Sequence, residues 1–119
     1  MKRLQRLRAT AALRDMVSEI GFGQSQLIQP LFLAEGVTQE EPLPGLPGTS
    51  RHTLTSLLTQ FEKDLAAGVR QCILFPVPAR KSNRSFQAEF VATALGQMRQ
   101  RGGNDAAIWV DTCICSFTE

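Results

Sequence analysis

Three short apolar runs, separated by two helix-length amphipathic patterns, constrain this chain more than any other feature. The runs fall around Leu31-Phe32-Leu33, Ile73-Leu74-Phe75 and Ile108-Trp109-Val110. Each is too short for an ordinary helix and too continuous for a strand with one wet face, so each reads as a strand of the buried type. Between the first two, Leu54, Leu57, Leu58, Phe61 and Leu65 recur at i, i+3, i+4, i+7 and i+11. Between the last two, Phe90, Val91, Ala94, Leu95 and Met98 form a second helical stripe. Strand, helix, strand, helix, strand predicts consecutive right-handed βα units and a parallel sheet. No Gly-x-Gly-x-x-Gly or Walker-type loop follows any of the runs, which removes the usual support for a nucleotide-binding fold. An α/β barrel is the natural alternative. A complete (β/α)8 barrel takes about 250 residues, so 119 residues hold about three of its strands.

The expected boundaries follow from local signals. Strands are placed at 26–34, 71–77 and 106–113, and helices at 51–67 and 85–101. Pro30 donates no ladder hydrogen bond and is expected at the start of its strand or beside a bulge. Thr49 and Ser50 are candidate N-caps, Gly68 is the expected residue just past the first helix, and Gly102-Gly103 stops the second. Residues 36–50, with Pro42, Pro44, Pro47, Gly45 and Gly48, read as an ordered loop. Residues 1–25 form an arm with one short helix marked by Leu13, Met16, Val17 and Ile20, and residues 26–119 form the barrel portion.

Charge and cysteine content narrow the function classes. A net charge of +2 is too small to argue for nucleic acid, and no apolar run approaches the ~20 residues of a membrane span. The charge is nevertheless uneven: Lys2, Arg3, Arg6, Arg8 and Arg14 all precede the first acid, Asp15. The start is therefore a basic arm, suited to solvent or a partner; an organellar presequence has the same composition. Three cysteines without a secretion signal argue against a disulfide framework and for a reducing compartment such as the cytoplasm. Cys72 lies inside an apolar run and reads as a small buried hydrophobe.

Chemistry concentrates at the third run. In an extended chain, side chains two apart point the same way, so Asp111, Cys113 and Cys115 would share one face at the C-terminal end of that strand. Barrels put their chemistry at this end. Two same-facing thiols can begin a zinc site, and two core thiols at a strand end are the plainer alternative. Arg80, Lys81 and Arg84 form a polar loop after the second strand, read either as a solvated cluster or as an anion-facing loop. His52, the single histidine, is placed in the first helical turn with no second metal ligand nearby.

With these elements placed, the chain resembles the N-terminal part of a porphobilinogen synthase, also called 5-aminolevulinate dehydratase. The likeness runs from the basic arm through Leu27-Ile28-Gln29-Pro30-Leu31-Phe32, Glu35-Gly36, Leu46-Pro47-Gly48 with Arg51, and Leu74-Phe75-Pro76-Val77. It is strongest at Asp111-Thr112-Cys113-Ile114-Cys115-Ser116-Phe117-Thr118, similar to the family's Asp-x-Cys-x-Cys-x-Tyr-Thr zinc segment, with Phe117 in place of the tyrosine. The resemblance implies a TIM barrel whose arm wraps a neighbouring subunit, usually in octamers. It also implies condensation of two 5-aminolevulinate molecules to porphobilinogen in tetrapyrrole (haem) biosynthesis. Cys113 and Cys115 would be two zinc thiolates of the zinc-dependent branch, and Asp111 the catalytic carboxylate beside them.

The resemblance places the third zinc cysteine and two Schiff-base lysines beyond Glu119, and Lys63 and Lys81 do not match those positions. The expected reading is a fragment or truncated form of the synthase, inactive in isolation. The alternative is a non-enzymatic truncated paralogue that binds a full-length synthase or another partner through its arm and exposed barrel edge. A small thiol-based metal carrier is a third, weaker reading.

Overall fold

The computed structural model describes residues 6–82, 89–113, 115 and 117. After a 3-10 turn at Arg6–Arg8, the order is α1 (Ala11–Met16), a second 3-10 turn (Gln24–Gln26), β1 (Ile28–Ala34), β2 (Glu41–Pro42) and β3 (Ser50–His52). Then come α2 (Leu54–Ala66), β4 (Gln71–Val77), α3 (Glu89–Gly102) and β5 (Ala107–Val110). The sheet order is β2-β3-β1-β4-β5. β1, β4 and β5 are parallel neighbours, with Pro30 opposite Ile73 and Ile73 opposite Trp109. These three are the strands expected from the apolar runs.

The helices lie on one face of this sheet. Leu57, Leu58 and Phe61 of α2 and Val91, Ala94 and Met98 of α3 pack with Leu31, Leu33, Cys72 and Leu74 into a single buried cluster. Along β4, Cys72, Leu74 and Pro76 are buried while Gln71, Ile73, Phe75 and Val77 are only half-buried. One face is therefore sealed by helices. The other carries Ile73, Phe32 and Phe75, whose two rings stack with centroids 5.0 Å apart, and Trp109, which is 54% exposed.

Helix ends follow local chemistry. Thr53 caps α2 by accepting a hydrogen bond from the Ser56 N–H at 3.1 Å. At the other end Gly68 takes a φ of 89°, and the Gly68 and Val69 N–H groups donate to the Leu65 and Asp64 carbonyls. This is a Schellman ending, which needs the left-handed conformation that glycine adopts without strain. Gly102 has a packing reason as well: a Cβ there would lie 2.8 Å from that of Ala106 and 3.0 Å from the Phe61 ring.

Several sequence expectations are corrected. Besides the three expected strands the sheet holds two short ones, β2 and β3, because residues 36–50 are not wholly loop. Gly45 and Gly48 turn the chain at positive φ, so that β2 runs back antiparallel to β3, and β3 pairs in parallel with Phe32 and Leu33 of β1. The first barrel helix starts at Leu54 rather than 51, because Thr53 is the cap and His52 belongs to β3. Pro30 lies inside β1 rather than at its start, at a level where β3 does not flank the strand. The third strand ends at Val110, short of 113, so strand alternation does not extend to the cysteines. In the arm, α1 stops at Met16, and Met16, Val17 and Ile20 are exposed rather than forming a covered stripe. The expected start of the second helix at 85 lies outside the described residues.

Candidate active site at the strand ends

The C-terminal ends of β1, β4 and β5 are tied together by their loops. Glu35, just past β1, accepts the Ala79 N–H on its carboxylate at 3.0 Å, and its own N–H donates to the Val77 carbonyl at 2.9 Å. The loop after β4 is thereby held against β1. Past β5, the Asp111 N–H donates to the Leu74 carbonyl at 2.9 Å, extending the ladder by one residue. Asp111 Oδ1 then accepts the Cys113 N–H at 3.1 Å, an Asx-type turn that bends the chain out of the strand.

This turn brings the Cys113 and Cys115 sulfurs together. The structure joins them as a disulfide with the Cα atoms 5.4 Å apart, within the usual range for such a pair. Free thiols are expected from the sequence alone. The link closes only a local loop, so it is not a framework that staples distant elements. Both cysteines are exposed and Asp111 is half-buried. Phe117 turns back inward, 5% exposed, against Phe90, and its carbonyl accepts the Ser82 N–H at 2.7 Å.

The three sequence-predicted site residues are therefore neighbours, but a turn gathers them rather than a strand face. Arg80 and Lys81 are exposed in the loop after β4, and Arg84 lies outside the described residues. Cys72 is buried as expected, and burial together with the Asp64 charge, partly opposed by Arg99, pushes its thiol up to about 11. It is a core residue and not a nucleophile. His52 is the one buried charged or polar residue of the described core. Its Nδ1 lies 3.2 Å from Ser56 Oγ and 3.9 Å from Glu40 Oε2. Burial lowers its pKa, against the opposing pull of Glu40 and Asp64. The groove beside it, about 590 Å³ between residues 37–40 and the outer side of α2, holds none of the three.

The donor set can be tested against zinc. Two soft sulfurs within reach of each other at an exposed strand end suit it, once reduced to thiolates. They are two ligands of the three or four that a site requires, and among the described residues no group of three His, Cys, Asp or Glu side chains converges. The arrangement fits half a zinc site.

Sequence reasoning missed the residues that build the turn. Glu35, Ser82 and the inward-facing Phe117 carry no local signature of their roles. The aspartate two residues before Cys113 did have one, because aspartate commonly accepts a backbone N–H two residues on.

Parallel strands joined by helices packed on one face define this chain as a portion of an α/β barrel. It belongs to the delta-aminolevulinic acid dehydratase family, whose model matches residues 1–119. Among curated relatives, the delta-aminolevulinic acid dehydratase of Halalkalibacterium halodurans is 34% identical, over 99% of this chain and 37% of its own length. That of Mycobacterium tuberculosis is 29% identical over 99% of this chain and 38% of its own length. A porphobilinogen synthase from Toxoplasma gondii, solved with its reaction product porphobilinogen, superposes with a TM-score of 0.79 at 22% identity, covering 100% of this chain and 35% of the other. The chain spans little more than a third of the length of the relatives it matches. Its fold is correspondingly a partial TIM barrel. Among the described residues no helix is long and apolar enough to cross a membrane.

Proposed function

We propose that this chain supplies the thiolate side of an active site that condenses two molecules of 5-aminolevulinate to porphobilinogen. The observation that carries the reading is the meeting of Cys113 and Cys115 beside Asp111 at the C-terminal end of a barrel strand, in a chain matched to the family along its whole length. Reduced, Cys113 and Cys115 would hold zinc, with further ligands from outside the described residues. Zinc so bound supplies Lewis acidity toward a carbonyl or amino group of substrate. Asp111 has a second carboxylate oxygen besides the one held by the Cys113 N–H, and that oxygen can accept from a substrate ammonium. After β4, where Glu35 holds the Ala79 N–H, Arg80 and Lys81 are exposed and could meet a carboxylate substrate.

Lys63 lies on α2 and Lys81 in a loop, so neither takes the place of an amine on a barrel strand. In this reading the chain alone is inactive, since among the described residues no lysine lies on a barrel strand for covalent capture of substrate. The arm exposes Leu7, Met16, Val17, Ile20 and Phe22, an apolar set that supports assembly with other subunits, octamers being the family's usual form. A cytoplasmic or otherwise reducing compartment suits the thiol form.

The test is porphobilinogen formation from 5-aminolevulinate with zinc and a thiol reductant. The chain is assayed alone and mixed with a C-terminal piece bearing the two Schiff-base lysines. Activity in the mixture only is expected, and its loss in Cys113→Ser ties it to the thiols. The exposed Trp109 on the uncovered sheet face favours a second reading, a non-catalytic partner of a full-length synthase. Silence from folded, soluble pieces, together with co-purification with a full-length synthase, would establish that reading instead.

A further inference from the structure

Past Val110 the described ladder ends with the bond from the Asp111 N–H to the Leu74 carbonyl, yet Cys113 and Cys115 are presented with their sulfurs together. Two contacts bracket them. Upstream, Asp111 Oδ1 accepts the Cys113 N–H at 3.1 Å. Downstream, the Phe117 side chain is buried in the main core against Phe90, with ring centroids 6.4 Å apart. Its carbonyl takes the Ser82 N–H at 2.7 Å, which fastens the same point to the loop after β4. We infer that Asp111 and Phe117 are positioning residues that clamp the Cys113–Cys115 turn from both ends and so set how closely the two sulfurs approach.

This gives Asp111 a task separate from any contact with substrate. Its Oδ1 orders the backbone that carries the first thiol, and the other oxygen stays available. Phe117 acts as a hydrophobic anchor. Its ring needs burial more than a polar tip, which is consistent with phenylalanine at a position where the family pattern has tyrosine. The inference deepens the proposed function, because it rests on the pair being the thiolate half of a metal site. The proximity of the sulfurs can nevertheless be read without any metal.

The experiment measures the Cys113–Cys115 dithiol–disulfide equilibrium against glutathione in the full 119-residue chain. In parallel it titrates cadmium ion, followed by thiolate-to-metal charge-transfer absorption. Cys72 is buried and does not interfere. Asp111→Ala and Phe117→Ala are expected to shift the equilibrium toward the dithiol by about tenfold, the scale of one lost net hydrogen bond or anchor, and to weaken cadmium binding in the same order. Asp111→Asn keeps an oxygen acceptor and Phe117→Leu keeps an apolar anchor. Both are expected within about twofold of the parent chain. If the carboxylate acted through its charge, Asp111→Asn would behave like Asp111→Ala, and that result overturns the inference. A parent chain that binds cadmium while Asp111→Ala matches it in both measurements also overturns it, leaving the metal reading intact. The expected disulfide shifts with no cadmium binding by any form would uphold the clamp and sink the metal reading. Should Phe117→Ala fail to fold, the two Asp111 variants decide.

Discussion

The two faces of the β1-β4-β5 sheet are built from similar residues and meet opposite surroundings. On the helix side, Leu31, Leu33, Cys72 and Leu74 are almost fully buried beneath α2 and α3. On the other side, Phe32, Ile73 and Phe75 are half-buried, and Ile28 and Trp109 are exposed. Strands of a complete barrel are apolar on both faces because helices cover the outside and side chains from all strands fill the inside. Three strands provide the helices for the first face and only part of the filling for the second. An apolar run thus records burial in the complete assembly, and the exposed face marks where this chain alone falls short of it.

The sharpest way to break the comparison is to truncate one residue on each face and measure urea unfolding. Leu74→Ala, fully buried under both helices, is expected to cost about 3–5 kcal/mol, a large share of the roughly 5–15 kcal/mol that stabilises an ordinary domain. Gly102→Ala comes next. Its added Cβ meets Ala106 at 2.8 Å, and Phe61 is itself pinned in the core, so a loss of about 1–3 kcal/mol is expected, with a lowered unfolding midpoint.

A pH titration probes the hairpin flank of the same sheet. The folded-state pKa of His52 lies below its ordinary 6.5, so the unfolded chain binds the proton more readily. The His52 contribution to stability is therefore complete above pH 6.5 and is lost as the pH falls through that value toward the lowered one. Asp64 works in the opposite sense. Burial raises its pKa, so its contribution is present in acid and lost as the pH rises through the raised value, above the ordinary 3.8. His52→Gln is expected to flatten the mildly acidic limb of stability against pH and leave the Asp64 limb in place. An unchanged limb below pH 6.5 would show that another group controls it.

The smallest effect is expected on the open face. Trp109→Ala should change stability by less than about 1 kcal/mol in this chain, because the residue is already 54% exposed. The same substitution should cost several-fold more once the remaining strands are supplied and the face is filled. Equal costs in the two settings would mean that Trp109 does not enter the barrel interior.

Much of this was legible in advance. The three parallel strands, the amphipathic stripes of α2 and α3, the glycine endings at Gly68 and Gly102, and the buried character of Cys72 all follow from periodicity and turn chemistry. The β2–β3 hairpin was not legible. Its strands are two and three residues long, too short to show alternation, and its pairing depends on the edge of β1, some twenty residues away. His52 was misplaced for the same reason, since only the contact of β3 with β1 draws it out of the helix and into the interior.

The sequence by itself determined the order of the elements, the family, and the identity of the candidate site residues, because these depend on residue type and spacing along the chain. Only the tertiary structure decided how Asp111, Cys113 and Cys115 come together. Their approach follows from a carboxylate capturing a backbone N–H after the strand ends, and from Phe117 burying itself beside Phe90 while its carbonyl is fixed by Ser82. The Asp111 bond is local, but the Phe117 contacts join segments about 30 residues apart, and spacing alone carries no record of them.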